Sequence, residues 1–239
     1  MIKGQEIANL LEFFTLIDRK QAERERNNAE RILYRGQLDC NPLLPSIARN
    51  RTSNTRSLEG EMLSYIERVA HLKIDYDSQL DLLITAQHYG LKTRLLDWTS
   101  NPLAALYFAI EKEYGIDKDS YVYIFEVPKE TILSDRDSNS PLDAVKKDPF
   151  SIKRTSVLRP TLNNDRIVAQ SGWFTIHCFD NGFIPLEEEP LMKNHLTEIK
   201  IPKSLKRKFM AQINDYGINA RTMFPDFEGT CKHANWKFQ

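Results

Sequence analysis

The chain has 239 residues, 41% hydrophobic and 28% charged, which is the composition of a folded domain and excludes a disordered or fibrous chain. Lys and Arg together number 33, as do Asp and Glu, so the net charge is zero; this excludes a coat for nucleic acid held by bulk charge but leaves room for a local basic patch. No apolar run approaches the ~20 residues of a membrane span, the opening Met1-Ile2-Lys3-Gly4-Gln5-Glu6 lacks a signal-peptide core, and Cys40, Cys178 and Cys231, without Cys-x-x-Cys spacing, read as reduced thiols of a cytoplasmic protein.

In chain order, residues 1–31 read as an N-terminal helical segment. Ile7, Leu10, Leu11, Phe14 and Ile17 make one apolar stripe that stops after Asp18, and the charged Arg19 to Arg31 are the solvated end of the same helix or a partner-binding arm. Ile32-Leu33-Tyr34 starts a short strand, which Gly36 allows to bend. Asn41 to Pro45 is a turn, and Arg49 to Arg56 is a polar loop whose arginines suit an anion. Leu58 to Leu72 is helical, with Leu58, Met62, Tyr65, Ile66 and Val69 on one face. Ser78 caps a helix over Leu80 to Tyr89 that stops at Gly90.

Thr93 to Trp98 reads as a strand. Asn101 as N-cap and Pro102 at the first helical position open a helix over Leu103 to Glu113, apolar nearly all round and therefore buried. Tyr121 to Val127 is a strand dense in β-branched and aromatic residues. Ser134 to Asp165 is an irregular insertion. Arg166 to Ala169 and Trp173 to Phe179 read as strand, broken at Gln170-Ser171-Gly172. Leu196 to Ile201 alternates as a strand does. Ser204 caps a helix that turns Leu205, Phe209, Ile213 and Tyr216 inward and ends at Gly217. Arg221 to Gln239 is a tail with aromatic anchors. No repeat or linker divides the chain, so the expectation is one α+β domain.

Four segments join polar chemistry to structural punctuation: Tyr34-Arg35-Gly36-Gln37; Ala86-Gln87-His88-Tyr89-Gly90; Thr93-Arg94-Leu95-Leu96-Asp97-Trp98-Thr99-Ser100-Asn101-Pro102; and Arg166-Ile167-Val168-Ala169-Gln170-Ser171-Gly172-Trp173-Phe174, with Gly217-Ile218 and Phe224-Pro225-Asp226-Phe227-Glu228-Gly229 near the end of the chain. Arg35 beside a glycine can present a guanidinium fork to phosphate or ribose, or form a structural ion pair. Thr99 and Ser100 stand where a strand feeds a helix, which they can cap. Asp97 can order Arg35 or Arg94. Trp98 can stack on a ring or fill the core. His88 at a helix C-terminus, where the dipole favours its charged form, is a phosphate ligand or a structural histidine. Gln170 at a strand break is aimed at a cleft or merely turns the chain.

These segments, across residues 32–230, resemble the FRG domain, named for its Phe/Tyr-Arg-Gly motif, and residues 32–239 are read as that domain. The order of elements is similar to the ADP-ribosyltransferase fold. The resemblance therefore implies antiparallel β-sheets of that type flanked by helices, with two sheets clamping NAD as substrate.

On this resemblance Arg35, Thr99, Gln170 and Asp97 form the catalytic set, and Tyr34, Gly36, Gln37, His88, Arg94, Trp98 and Phe174 hold NAD. FRG domains occur in bacterial defence and toxin-like contexts. The implied function is ADP-ribosyl transfer to a macromolecule by a toxin or anti-phage effector, restrained by a neutralising antitoxin protein. RNA or DNA is favoured over protein as acceptor because of Arg49, Arg51 and Arg56 and the basic stretch Lys200, Lys203, Lys206, Arg207 and Lys208. One departure stands out: the glutamate that such enzymes place on the ribose is not evident, and Gln170, Asp165 and Glu228 are candidates, with Asp97 as a substitute. A non-catalytic nucleotide- or nucleic-acid-binding module and a protein-interaction domain remain the alternatives. His177-Cys178 with Cys231-x-His233 matches no zinc spacing, so no metal is expected, and no membrane partner is.

Overall fold

The computed structural model describes residues 3–49, 55–111, 117–134, 140–162, 164–180 and 182–238. Arg51 and the side chain of Arg56, both expected to face an anion, lie outside the described residues. Among the described residues seven strands form one sheet: β1 (Lys3–Glu6), β2 (Ala29–Gln37), β3 (Leu95–Thr99), β4 (Ser120–Pro128), β5 (Ser156–Leu158), β6 (Gly172–Ile176) and β7 (Leu196–Ile201). Their spatial order is β1-β7-β4-β2-β3-β6-β5. Every neighbouring pair is antiparallel except β1 with β7, which is parallel. The architecture is α+β with a single mixed sheet, which corrects the expectation of two antiparallel sheets.

The β4 sequence Tyr121-Val-Tyr-Ile-Phe-Glu-Val127 shows why both faces of the sheet are covered. Val122 and Ile124 join one core with Ile32, Tyr34 and Ile199. Tyr123, Phe125 and Val127 join another with Leu33, Leu96 and Trp98. A strand buried on both faces carries an unbroken apolar run. Glu126, on the first face, is held by Lys20 Nζ at 2.7 Å and Asn27 Nδ2 at 2.5 Å, which keeps a buried carboxylate paired.

The first face is covered by α1 (Leu10–Glu23), α5 (Pro102–Ile110), α8 (Lys206–Asp215) and α9 (Ala220–Met223). Asn101 Oδ1 accepts from Leu103 N and Ala104 N to start α5, with Pro102 in its first turn as the sequence indicates. This helix packs against β2 so closely that a Cβ on Gly36 would lie 2.0 Å from Ala105 O and 2.5 Å from Ala109 N. Gly36 therefore serves helix–strand packing, and β2 runs through it to Gln37 without the expected bend. A third core lies under α3 (Thr55–Ala70), α4 (Gln79–His88) and α6 (Pro141–Lys147). Ser78 caps α4, and Gly90, at φ 96°, ends it.

Several local expectations are corrected. Residues 1–31 are not one helix: β1 joins the sheet, α1 ends at Glu23 and β2 begins at Ala29. Arg166–Ala169 is not strand but belongs to α7 (Asp165–Ala169), because Asn164 Oδ1 accepts from Arg166 N at 2.8 Å and starts a helical turn. The buried line of α3 is Glu59, Leu63 and Ala70, while Leu58, Tyr65 and Val69 are exposed. Lys206, not Ser204, begins α8, and Tyr216 points outward. The tail beyond α9 is a helix, α10 (Phe227–Lys237), capped by Asp226 through Gly229 N. Among the described residues no helix is long and apolar enough to cross a membrane. The remaining short helix, α2 (Ser46–Arg49), follows the 41–45 turn.

Candidate functional site

Strand register sets three of the motif segments side by side. Tyr34 pairs with Thr99, Asp97 with Phe174, Trp98 with Trp173 and Thr99 with Gly172. The β2–β3 register consists of the Tyr34–Thr99 pair alone, so the two strands part beyond it. Arg35 Nη1 spans the gap and donates to Asp97 O at 2.7 Å, while Arg35 Nε donates to Gln37 Oε1 at 3.2 Å. The Asp97 carboxylate stands 3.9 Å from Arg35 Nη1 and is largely exposed.

The opening is a cleft of two adjoining chambers. The first, of about 420 Å³, is lined by Arg35, Gln37, Asp39, Arg49, Thr99 and Glu111 among others, with Tyr34 and Gly36 contributing to its wall. The second, of about 230 Å³, is lined by Gln87, His88, Arg166, Trp173, Phe174 and Phe224 among others. Asp97, Trp98, Phe108 and Gln170 border both. One chamber is thus rich in charge and the other in aromatic rings, with a carboxylate and an amide on the dividing wall.

The wall is stiffened by hydrogen bonds. Thr99 Oγ1 donates to Gln170 O at 2.6 Å and accepts from Asn101 N at 2.9 Å. Thr99 thus ties β3 to the α7–β6 turn and also orders the start of α5. Gln170 Nε2 donates to Met223 O at 3.0 Å, anchoring α9. The turn itself needs Ser171 at φ 49°, a strained conformation for a residue with a side chain. Trp98 is buried, and its Nε1 donates to Thr175 Oγ1 at 3.2 Å, so the indole belongs to the core while also bordering the cleft. Phe174 is likewise buried and lines the second chamber.

Electrostatics distinguish the two ends. Burial pulls the Arg35 guanidinium down to about 10; Asp97 opposes the shift and the nearby Arg49 charge adds to it. The group remains a cation at neutral pH, but its charge is only partly compensated. Tyr34 is a core phenol pushed up to about 12 by burial, accepting from Gln21 Nε2 at 3.0 Å. His88 corrects the helix-dipole expectation: burial and then the Arg166 charge lower its pKa, so the neutral form is favoured. Arg166 is held by Asp226 at 2.5 Å on the rim of the second chamber, and its guanidinium lies 5.2 Å from the Phe224 ring centre.

Arg94 is not in the cleft. It is 1% exposed, donates from its backbone N and from Nε to Glu59 at 2.6 and 2.8 Å, and lies over the rings of Phe150 and Phe179. Its assignment to ligand binding is corrected to a buried ion pair. Asp165 and Glu228 line neither chamber; among the described residues the carboxylates that do are Asp39, Asp97 and Glu111. Asp39 and Glu111 carry no sequence signal, being single acids at element ends. Arg49, expected on a loop, ends α2 and reaches the first chamber.

The basic stretch is largely occupied: Lys200 pairs with Glu6 and Asp119, Lys203 with Asp117, and Lys206 is buried. Among the described residues no cluster of three or more His, Cys, Asp or Glu is placed to hold a metal.

Compared with known families, residues 30–118 match the model of the FRG domain. No curated protein and no solved structure matches the chain. The segments Gln170–Phe174 and Phe224–Asp226 lie outside the matched residues, yet side chains from both line the second chamber.

Proposed function

Taking residues 30–118 as an FRG domain, we propose that the cleft binds NAD and that the protein transfers ADP-ribose from it to a macromolecular acceptor. The observation that carries this reading is the division of labour between the chambers: two guanidiniums, Arg35 and Arg49, at one end, aromatic rings at the other, and Asp97 on the wall between. A diphosphate between the guanidiniums relieves their mutual repulsion and gains charge-assisted hydrogen bonds. The nicotinamide ring then enters the aromatic chamber, and the adjoining ribose lies against Asp97.

In the transfer step the ribose C1′–nicotinamide N bond breaks and its electron pair leaves with nicotinamide. The acceptor nucleophile bonds to C1′ and releases its proton. Positive charge develops on the ribose as the bond lengthens, and a preorganised carboxylate facing it lowers the barrier; a single such group is worth about 10²–10³ in rate. Arg35 binds phosphate, and Thr99 and Gln170 build the wall. The engagement of Lys200 and Lys203 by carboxylates removes one support for a nucleic-acid acceptor, so the acceptor is any macromolecule that presents a nucleophile. Action as a toxin or defence effector, restrained by a neutralising partner, follows from the family context and belongs to the same proposal.

A second reading has its own observation. Gln170 and Asp97, not a glutamate, are the polar side chains common to both chambers among the described residues. A domain that binds the dinucleotide without cleaving it fits that set. Labelled NAD incubated with RNA, DNA and protein separates the two. Label transfer that disappears in Arg35→Ala, with the circular dichroism unchanged, supports transfer. Protection from melting by NAD without transfer or nicotinamide release supports the second reading. Neither effect removes both.

A further inference from the structure

The carboxylate on the dividing wall is gripped by a chain of hydrogen bonds that runs into the core. Gln87, on α4, donates from Nε2 to Asp97 Oδ1 at 2.8 Å. The other end of the same amide, Gln87 Oε1, accepts from Thr93 Oγ1. Thr93 is fully buried, its Oγ1 accepts from Leu95 N at 3.1 Å, and its own N donates to Ser46 Oγ at 3.3 Å.

Chemistry allows this chain only one sense. The Leu95 N–H can only donate, so it occupies a lone pair of the threonine oxygen. The single hydroxyl proton of Thr93 must then go to an acceptor, which is Gln87 Oε1. An ionised Asp97 can only accept, and it meets the NH₂ end of the amide. Turning the amide over would set its carbonyl oxygen 2.8 Å from a carboxylate oxygen and leave a buried hydroxyl proton without an acceptor, both of which are costly.

We propose that Gln87 and Thr93 are positioning residues for Asp97, forming a one-way relay that pins Oδ1 and leaves Oδ2 to face Arg35 and the cleft. The Asp97 side chain is 64% exposed, so without the relay it is free to turn among rotamers. Its backbone is held as well, since Asp97 O accepts from Arg35 Nη1. Preorganisation of this kind separates a carboxylate that can stabilise developing charge from one that merely sits nearby. The catalytic consequence rests on the function proposed above, whereas the relay itself does not.

The test has one arm that needs no substrate. In a ¹H–¹⁵N spectrum the side-chain NH₂ pair of Gln87 should lie apart from exposed glutamine signals and exchange slowly with water. Thr93→Val, nearly the same shape without the hydroxyl, should move the pair toward the exposed position, and Thr93→Ser should keep it. A wild-type pair already at the exposed position, or one unmoved by Thr93→Val, overturns the relay. If Thr93→Val does not fold, Gln87→Leu read at the Asp97 carboxyl carbon gives the same answer: a displaced signal supports the relay and an unchanged one overturns it.

The second arm measures NAD turnover. Thr93→Val should lower kcat by up to about 100-fold with KM within a few-fold, because the phosphate grip is untouched, and Thr93→Ser should restore it. A rise in KM at unchanged kcat overturns the positioning role. The expected spectrum with no turnover in any variant sinks the transfer reading and leaves the relay standing.

Discussion

Arg35 and Arg94 both lie in the motif segments, and the structure treats them in opposite ways. Arg94 is sealed against Glu59, itself 0% exposed, with the ring of Phe150 4.7 Å from its guanidinium carbon. Arg35 meets a backbone carbonyl and a glutamine amide, with its nearest carboxylate 3.9 Å away across an open cleft. The sequence spacing of the two gives no hint of this difference. A guanidinium with a dedicated buried carboxylate is a structural element, whereas one held in place but left short of counter-charge is ready for an anion.

This contrast can be broken most directly at Glu59. Glu59→Ala strands the Arg94 charge in the core and should cost about 3–5 kcal/mol, visible as a large drop in the urea midpoint. Gly36→Ala comes next. Its methyl group would meet backbone atoms of Ala105 and Ala109, which cannot swing aside, so about 1–3 kcal/mol should be lost in the same measurement.

His177 tests the interior below the cleft by pH. It is 1% exposed, and burial, with the Arg35 and Arg94 charges, lowers its pKa from 6.5 to about 3. The unfolded chain takes up the proton first, so this contribution is complete above pH 6.5 and is lost as pH falls toward 3. The loss should reach about 2 kcal/mol at pH 5. His177→Gln should flatten the acid slope of stability against pH; an equally steep slope removes His177 as its source.

The smallest effect on stability is expected at Arg35. Arg35→Ala removes hydrogen bonds to Asp97 O and Gln37 but strands no buried charge, so it should shift unfolding by only about 1 kcal/mol, yet abolish NAD binding measured by calorimetry. Arg35→Lys should recover little binding, since an ammonium cannot replace the planar fork. A loss of stability in Arg35→Ala as large as in Glu59→Ala would make the two arginines alike and remove the basis for the cleft chemistry.

Much of the local structure was legible. Leu196–Ile201 alternates and is a strand over those residues; Asn101-Pro102 opens a buried helix; Gly90 and Gly217, with φ of 96° and 83°, end theirs. These features depend on contacts within a few residues, which composition and spacing record. Segments governed by distant partners were not legible. The polar strand Lys3–Glu6 exists because β7 pairs with it in parallel, and no alternation announces it. Glu59 was hidden on α3 because its buried partner lies 35 positions away.

The candidate site divides in the same way. From sequence came the motif residues and the expectation that Arg35, Asp97, Thr99 and Gln170 share a cleft, together with the local rules that cap and end the helices around them. Tertiary structure alone decided that Arg94 leaves the site, that Glu111 enters it, and that Gln87 holds Asp97. Spacing along a chain specifies which element a residue sits on. Which face is sealed, and which charges meet there, depends on elements brought together only by the folded sheet.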